Sequence, residues 1–302
     1  MLAVNQVYTG DALKLLGELP PSSVDLVLTD PPYFLDKMDG AWDPVLVRKN
    51  TRSQAVKNLP AGMRFDPDQG RRLQDWYVLV SREVYRVLKP GGFFLSFSAP
   101  RLAHRMAVAV EEGGFHVRDV FLWLYKEGRA KGFSLNRFAE ARGVSLSGEW
   151  KTPQVRGNYE PIIVGQKPPE GTLLENFLRY KVGLFNFAAR MEGGLTPSNV
   201  LQVEEVEGVP PIFLVPKPSR AERAGNGHPT VKPVALLRHL IRLTTQEGAL
   251  VLVPFLGSGS TAVAAILERR RFLGFEVNGE YARIAQRRIG EAFRDIREGH
   301  PT

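Results

Sequence analysis

Four consecutive residues, Asp30-Pro31-Pro32-Tyr33, close an apolar run, Val24-Asp25-Leu26-Val27-Leu28-Thr29. Their types suit chemistry. An ionised Asp offers charged acceptor oxygens. Two prolines fix two φ angles, so the acid sits on a stiffened backbone. Tyr33 adds a flat ring with a polar tip. A second group lies late in the chain, where Val251-Leu252-Val253 leads into Pro254-Phe255-Leu256-Gly257-Ser258-Gly259-Ser260-Thr261. Gly257 and Gly259 let the backbone approach a ligand closely, and Ser260 or Thr261 is placed to cap a helix. Glu276 follows about 20 residues later, the spacing at which an acid meets a ribose hydroxyl in nucleotide-binding α/β units.

These residues need strands to hold them. A parallel strand buried on both faces reads as a continuous hydrophobic run, as Val24 to Thr29 does. The prolines end its hydrogen-bond ladder. Ligands of open α/β sheets bind at the carboxyl ends of strands, where Asp30 and Tyr33 then lie. Further strands are expected at Val4 to Tyr8, Phe93 to Phe97, His116 to Tyr125, Ala249 to Pro254 and Phe272 to Glu276. Helical spacing of apolar residues predicts helices over Asp11 to Glu18, Arg71 to Leu88, Arg101 to Glu112, Pro233 to Thr245, from about Thr261, and from Gly279 to about Arg297. Residues 34–70 show little periodicity and carry Trp42, Arg48, Lys49, Arg52, Lys57 and Arg64; a structureless stretch of that length is usually functional or mobile. From about 127 to 227 the pattern loosens again, with one confident strand, Tyr159 to Val164. Alternating strands and helices at both ends of the chain give an α/β class with a mainly parallel sheet.

Composition narrows the classes. The chain has 302 residues, 43% hydrophobic and 24% charged, which excludes a disordered chain. No apolar run approaches the ~20 residues of a spanning helix. The N-terminus shows no signal-peptide pattern, so a cytoplasmic location is expected. With no cysteines and five scattered His, neither disulfides, a thiol nucleophile nor a metal site is expected. The net charge of +8 and pI near 9.7 favour a polyanionic partner such as nucleic acid. Arg129, Lys131, Arg137, Arg142, Lys151 and Arg156, around the loose middle, are the better candidates for phosphate contact.

Asp30-Pro31-Pro32-Tyr33 resembles motif IV of the DNA amino-methyltransferases, which move a methyl group from S-adenosyl-L-methionine (SAM) to an exocyclic base nitrogen. Pro254-Phe255-Leu256-Gly257-Ser258-Gly259 is similar to their motif I, and His228-Pro229-Thr230-Val231-Lys232-Pro233 to their motif X. Gly10-Asp11-Ala12-Leu13 and Leu88-Lys89-Pro90-Gly91-Gly92 match flanking segments, and Lys126 matches motif VIII loosely. The catalytic motif comes first and the SAM motif last, the permuted order of the β class. The match spans roughly residues 4–126 and 226–290.

The resemblance implies a Rossmann-like SAM-methyltransferase fold: a twisted, mainly parallel sheet flanked by helices, permuted, with an inserted target-recognition region. It divides the chain into 1–129 (catalytic part), 130–225 (target recognition) and 226–302 (SAM-binding part). It implies that Asp30, Pro31, Pro32 and Tyr33 are catalytic. It assigns cofactor binding to Asp11, Asp30, Thr230, Lys232, Phe255, Gly257, Ser258, Gly259, Ser260, Thr261 and Glu276. Among these, Glu276 would hold the ribose, Asp11 would lie near the adenine, and Thr230 with Lys232 would position the methionine end. The implied substrate is double-stranded DNA and the implied product N6-methyladenine; N4-methylcytosine, an RNA substrate and a non-catalytic DNA-binding protein are the rivals. Homodimerisation and a cognate restriction endonuclease are further implications. The family usually has an acid immediately before Pro254, where this chain has Val253. Val253→Asp is therefore expected to tighten SAM binding.

Overall fold

The computed structural model describes residues 2–33, 68–125, 134–152, 155, 157–191, 194–201 and 231–298. Most of the 34–70 stretch, with its Trp and basic residues, lies outside them, as do Lys126, Arg129, Lys131, Arg156, His228, Pro229 and Thr230.

Among the described residues, eight strands form one sheet: β1 (Gln6–Thr9), β2 (Val24–Thr29), β3 (Leu88–Phe97), β4 (His116–Leu124), β5 (Tyr159–Gln166), β6 (Val200–Leu201), β7 (Leu250–Val253) and β8 (Arg271–Glu276). Their spatial order is β1-β8-β7-β2-β3-β5-β4-β6. Neighbours from β1 to β3 are parallel. β5 runs antiparallel to both β3 and β4. The continuous apolar run of β2 follows from its place in the middle, with β7 on one side and β3 on the other. Its one acid, Asp25, is buried but satisfied. One carboxylate oxygen pairs with Lys89 at 2.6 Å and the other accepts the Leu250 N–H at 2.6 Å, which ties three strands together at the end opposite the prolines.

Two helical layers cover the sheet. On one face lie α1 (Ala12–Gly17), α2 (Gln69–Val87) and α3 (Ala103–Glu112), which bury Leu16, Leu73, Tyr77, Val80, Val84 and Met106 against Val27, Phe94 and Leu252. α2 ends one residue before the expected Leu88, but β3, expected from Phe93, already begins at Leu88 and runs through Lys89-Pro90-Gly91-Gly92, with Gly91 at φ +79°. Two short helices, α4 (Asn136–Glu140) and α5 (Leu173–Tyr180), fall in the loose middle. On the other face lie α6 (Val234–Thr244), α7 (Ser260–Leu267) and α8 (Gly279–Glu298), packed through Leu236, Leu240, Ala265, Ala285 and Ile289 on Leu26, Leu28, Val251 and Val253.

The boundary expected at 130 does not mark the end of the sheet. Residues 159–166 and 200–201, inside the region assigned to target recognition, are β5 and β6 of the central sheet. An edge-to-edge partner for β3 was needed to bury Phe93 to Phe97, and β5 supplies it with Ile162, Ile163 and Val164.

Candidate active site

Chain order and strand order reverse between β7 and β2. From β7 the chain crosses by α7 to β8 on one side; from β2 it passes α2 and reaches β3 on the other. Such a switch point opens a crevice beyond the carboxyl ends of the strands. Asp30 and the turn after β7 both lie at that edge.

Four charged or phenolic groups meet there. The Tyr33 hydroxyl donates to Asp30 Oδ1 at 2.5 Å. The Lys232 ammonium donates to Asp30 Oδ2. It also lies 3.3 Å from Glu160 Oε2 and 5.0 Å from the centre of the Phe97 ring. Lys232 is 7% exposed. Burial works to lower its pKa, but the Asp30 and Glu160 carboxylates offset burial and hold the ammonium above its ordinary value. Tyr33 is pushed well above the usual phenol range, by burial first and then by the charges of Asp30 and Glu160, so it remains a donor. Nearby, Tyr77 is raised mainly by burial and shares a 2.6 Å hydrogen bond with Ser96.

Glu160 is the site residue that sequence reasoning missed. It is the second residue of β5, opposite Trp123 of β4. Because β5 is antiparallel, its amino end lies at the same edge as the carboxyl ends of β2 and β3, and Ser98 N–H bonds Pro161 O at 2.9 Å there. The available signal was an acid at the start of a confident strand; the direction of that strand was not readable.

The glycine turn is built as a backbone cradle. Gly257 and Gly259 have φ of +55° and +87°. A Cβ on Gly259 would come within 2.9 Å of the Ala285 Cβ, so this glycine also lets α7 and α8 approach. Gly259 itself is the residue before α7, without a side-chain cap. Ser260 and Thr261 are therefore first-turn residues rather than the caps expected from sequence. Arg288 of α8 donates to Ser258 O at 2.8 Å and to the hydroxyls of Ser258 and Ser260 at 3.1 Å each. Phe255 packs on Trp76, ring centres 5.5 Å apart.

Glu276 ends β8 and accepts the N–H groups of Gly257 and Asn278, each at 2.8 Å. Burial raises its pKa against the lowering effect of those bonds. Each carboxylate oxygen retains a second lone pair, which suits it to a hydroxyl donor. Asp11, one strand further out, caps α1 by accepting Lys14 N–H at 3.0 Å, and the neighbouring Gly10 N–H bonds Glu276 O at 3.0 Å. Thus Asp11, Glu276, Gly257 to Thr261, Phe255, Asp30 and Lys232 line up along one edge of the sheet. Lys232 pairs directly with Asp30, a contact not foreseen from the sequence. Val253 does not face this edge: it is 1% exposed and packed among Leu26, Val251 and Leu256. Among the described residues no cluster of His, Asp and Glu could hold a metal.

Away from the crevice, residues 134–151 form a small closed loop. Asn136 bonds Gly148 O at 2.7 Å and Trp150 N at 2.9 Å, and Ser134 pairs with Lys151. Trp150 and Phe138 are exposed there. Of the basic residues singled out in the sequence, Lys151 pairs with Glu149 at 2.6 Å and Arg142 donates to Phe138 O at 3.0 Å.

A doubly wound sheet with a glycine turn, a strand-end acid on β8 and an acid-proline pair on β2 defines a Rossmann-like SAM methyltransferase. Comparison with known proteins agrees: the DNA methylase family of N6/N4 methyltransferases matches residues 24–287. The chain belongs to this family, and its motif order makes it a β-class SAM-dependent DNA amino-methyltransferase. It is 29% identical to the type II methyltransferase M.HindIII of Haemophilus influenzae over 95% of this chain and 96% of that one. It is 26% identical to the DNA adenine methyltransferase YhdJ of Escherichia coli, over 95% and 83%. Among solved structures, the cytosine-N4-specific PvuII DNA methyltransferase superposes with a TM-score of 0.61 at 19% identity, covering 99% of this chain and 95% of that one. The M1.HpyAVI–SAM complex gives 0.55 at 20% identity, over 94% and 98%. No helix among the described residues is long and apolar enough to cross a membrane.

Proposed function

We propose that this chain methylates the N6 amine of adenine within a specific sequence of double-stranded DNA. The observation that carries the reading is Asp30: a half-buried acid on a proline-stiffened strand end, hydrogen-bonded to a lysine and a tyrosine, one strand from the glycine turn. The adenine assignment is supported by the acid at position 30, where cytosine-N4 enzymes tend to carry Ser, and by the likeness to an adenine methyltransferase.

An exocyclic amine is a poor nucleophile because its lone pair is delocalised into the ring. Asp30 accepts one N–H and the Pro31 carbonyl accepts the other. Two preplaced acceptors pull the nitrogen toward tetrahedral geometry, free its lone pair and stabilise the positive charge that develops there. SAM, when bound, supplies a methyl group on a sulfonium. Once that methyl is transferred, the surplus proton on nitrogen would be lost on the side of Asp30. Tyr33 offers its ring to the base while its hydroxyl fixes the Asp30 carboxylate. The target nitrogen cannot be reached inside a duplex, so the base is flipped out.

For the cofactor, Glu276 would take the ribose hydroxyls, the turn from Gly257 to Thr261 would hold SAM through its backbone, Phe255 and Asp11 would serve the adenine, and Thr230 with Asp30 and Lys232 would serve the charged methionine end. Arg288 holds the serines of the turn rather than the ligand. Target recognition falls to residues 134–158 together with 202–230, within the 130–225 region and just beyond it. The protein acts as a homodimer and protects DNA against a cognate endonuclease.

The test is chemical identification of the product. DNA from a host expressing this chain alone, grown with methyl-labelled methionine, is digested to nucleosides and analysed by mass spectrometry. N6-methyldeoxyadenosine at one sequence context is expected; label in N4-methyldeoxycytidine instead would overturn the base assignment, and no label in DNA would overturn the reading altogether.

A further inference from the structure

Beside the crevice stand two arginines that take no part in the methyl-transfer chemistry. β3 pairs with β2 in parallel, Ser96 opposite Thr29, so their carboxyl ends emerge side by side. Asp30 follows one of them. The other leads through Ser98 and Ala99 into a short 3-10 helix (Pro100–Leu102) and then into α3. Arg101 on that short helix and Arg105 on the first turn of α3 reach the start of α2. Arg101 donates to Gln69 Oε1 at 2.8 Å, and Arg105 donates to Gln74 Oε1 at 2.9 Å.

A glutamine orients a guanidinium without neutralising it. A carboxylate at 69 or 74 would tie the two helices more firmly, because both partners would be charged, but it would cancel the cation. Arg86, at the other end of α2, shows the contrast: it pairs with Glu83 at 2.9 Å. Gln69 is buried, which fixes its carbonyl in place. The stem of Arg105 rests on Gly70, where a Cβ would stand 3.4 Å from the arginine Cγ. Gln74 also donates to Glu112 at 3.4 Å, so the glutamine bridges that acid and Arg105. Among the described residues neither Arg101 nor Arg105 makes an ion pair. Each guanidinium has five N–H donors in a planar fork and gives one to its glutamine. Arg71, on the first turn of α2, adds charge; its contact with Asp68 is loose, at 3.9 Å, and exposed to water.

We propose that Arg101 and Arg105 grip backbone phosphates of the DNA strand that carries the target base. A pre-oriented, uncompensated fork matches two oxygens of a phosphodiester. Its place beside Asp30 sets it against the backbone next to the extruded nucleotide. It belongs to the catalytic half of the chain, apart from residues 134–158, and phosphate contacts fix register while carrying no sequence information. The proposal rests on the reading that duplex DNA meets the protein at the edge where Asp30 lies.

The experiment measures binding of the full chain to two labelled duplexes, one with the methylated site and one with that site scrambled, by fluorescence anisotropy between about 50 and 200 mM salt. Arg101→Gln and Arg105→Gln should each reduce the slope of log K against log salt by about 0.9, and the double variant by about 1.8. At about 0.1 M salt this is roughly 8-fold weaker binding per arginine, for lines that converge near 1 M. The loss should be equal on both duplexes, while the SAM dissociation constant and the methylated sequence hold. Arg101→Lys retains a cation and should retain the slope. Arg294→Gln, exposed on α8 across the sheet, removes the same charge elsewhere and should leave the slope unchanged. A role confined to tying α3 to α2 would lower the melting temperature without moving the slope. Should the double variant not fold, Arg101→Gln, whose side chain is exposed, decides by the same slope. An unchanged slope, or an equal drop in Arg294→Gln, overturns the proposal and leaves the reading of Asp30 intact. A parent chain that binds neither duplex would overturn the DNA reading and this grip together.

Discussion

Replacing Asp30 by Asn keeps its size and removes its charge, and the contacts of the site set the cost. In the folded protein the loss is softened. Lys232 would be stranded in a buried position if Asp30 were its only partner, at about 3–5 kcal/mol for an unpaired buried charge. It retains Glu160 at 3.3 Å, so the fold should lose about 1–2 kcal/mol, the scale of one hydrogen bond to a charged group. The transition state has no such reserve. Nitrogen gains positive charge directly in front of the acceptor, and loss of one preplaced electrostatic partner costs about 2.7–4 kcal/mol, or ~10²–10³ in rate. The purified variant should melt cooperatively a few degrees below the parent and bind SAM in calorimetry with nearly parental affinity. Its transfer of tritiated methyl from SAM to DNA, measured in single turnover, should be slower by at least about 100-fold. A rate within about tenfold of the parent would mean that less than about 1.4 kcal/mol rests on the charge, and the reasoning about Asp30 would fail.

Val253→Asp should lower the melting temperature and leave SAM binding no tighter, contrary to the expectation from sequence alone. The side chain is 1% exposed in the core, and a carboxylate there costs on the order of 3 kcal/mol or stays protonated; a tighter calorimetric SAM constant at unchanged melting would contradict this. His239 is held at a pKa of about 4, against 6.5, by burial and then by Arg242. Between those values the unfolded chain binds a proton that the folded chain does not, so its stabilisation is complete above pH 6.5 and is lost as pH falls toward 4, by about 3 kcal/mol in all. Urea unfolding followed from neutral to acidic pH should show this slope in the parent and a shallower one in His239→Leu; equal slopes would remove His239 from the account. Exchanging residues 134–158 for those of a relative with a different target should change the methylated sequence while SAM affinity and melting hold. Persistence of the original target, mapped by methylated-base sequencing, would remove residues 134–158 from target recognition.

That exchange is narrower than the 127–227 span of loose periodicity, and the reason shows what a sequence conveys about this fold. Hydrophobic spacing locates β2, α2, α6 and α8 within a few residues, because each buries a stripe whose period is local. It identifies residues 159–164 as a strand for the same reason. Which strands flank it, and in which direction it runs, depends on pairing with Leu88–Phe97 and His116–Leu124, far away in the chain. A deletion through β5 would open the edge of β3 and remove Glu160 together with any recognition element. The capping box at Thr172 and Glu175 was legible in principle, as a hydroxyl and an acid three apart, yet the surrounding Pro and Gly made the segment read as loop.

The site divides along the same line. Asp30, the glycine turn and Glu276 could be read because each sits at the end of its own strand, and strand ends are local features. The face of β7 could not. Alternation puts Val251 and Val253 with α6 and α7, and Leu252 with the opposite layer, so the residue before Pro254 is committed to the core whichever amino acid it is. Nor could the partner of Asp30. Lys232 is 202 residues away, brought in from the start of α6, and Glu160 arrives from a strand of unknown polarity. The surroundings of Asp30 are therefore a property of three separated segments. A substitution at Lys232 or Glu160 should change methyl transfer without changing the motif that contains Asp30, because the electrostatic state of that carboxylate is set across the sheet rather than along the chain.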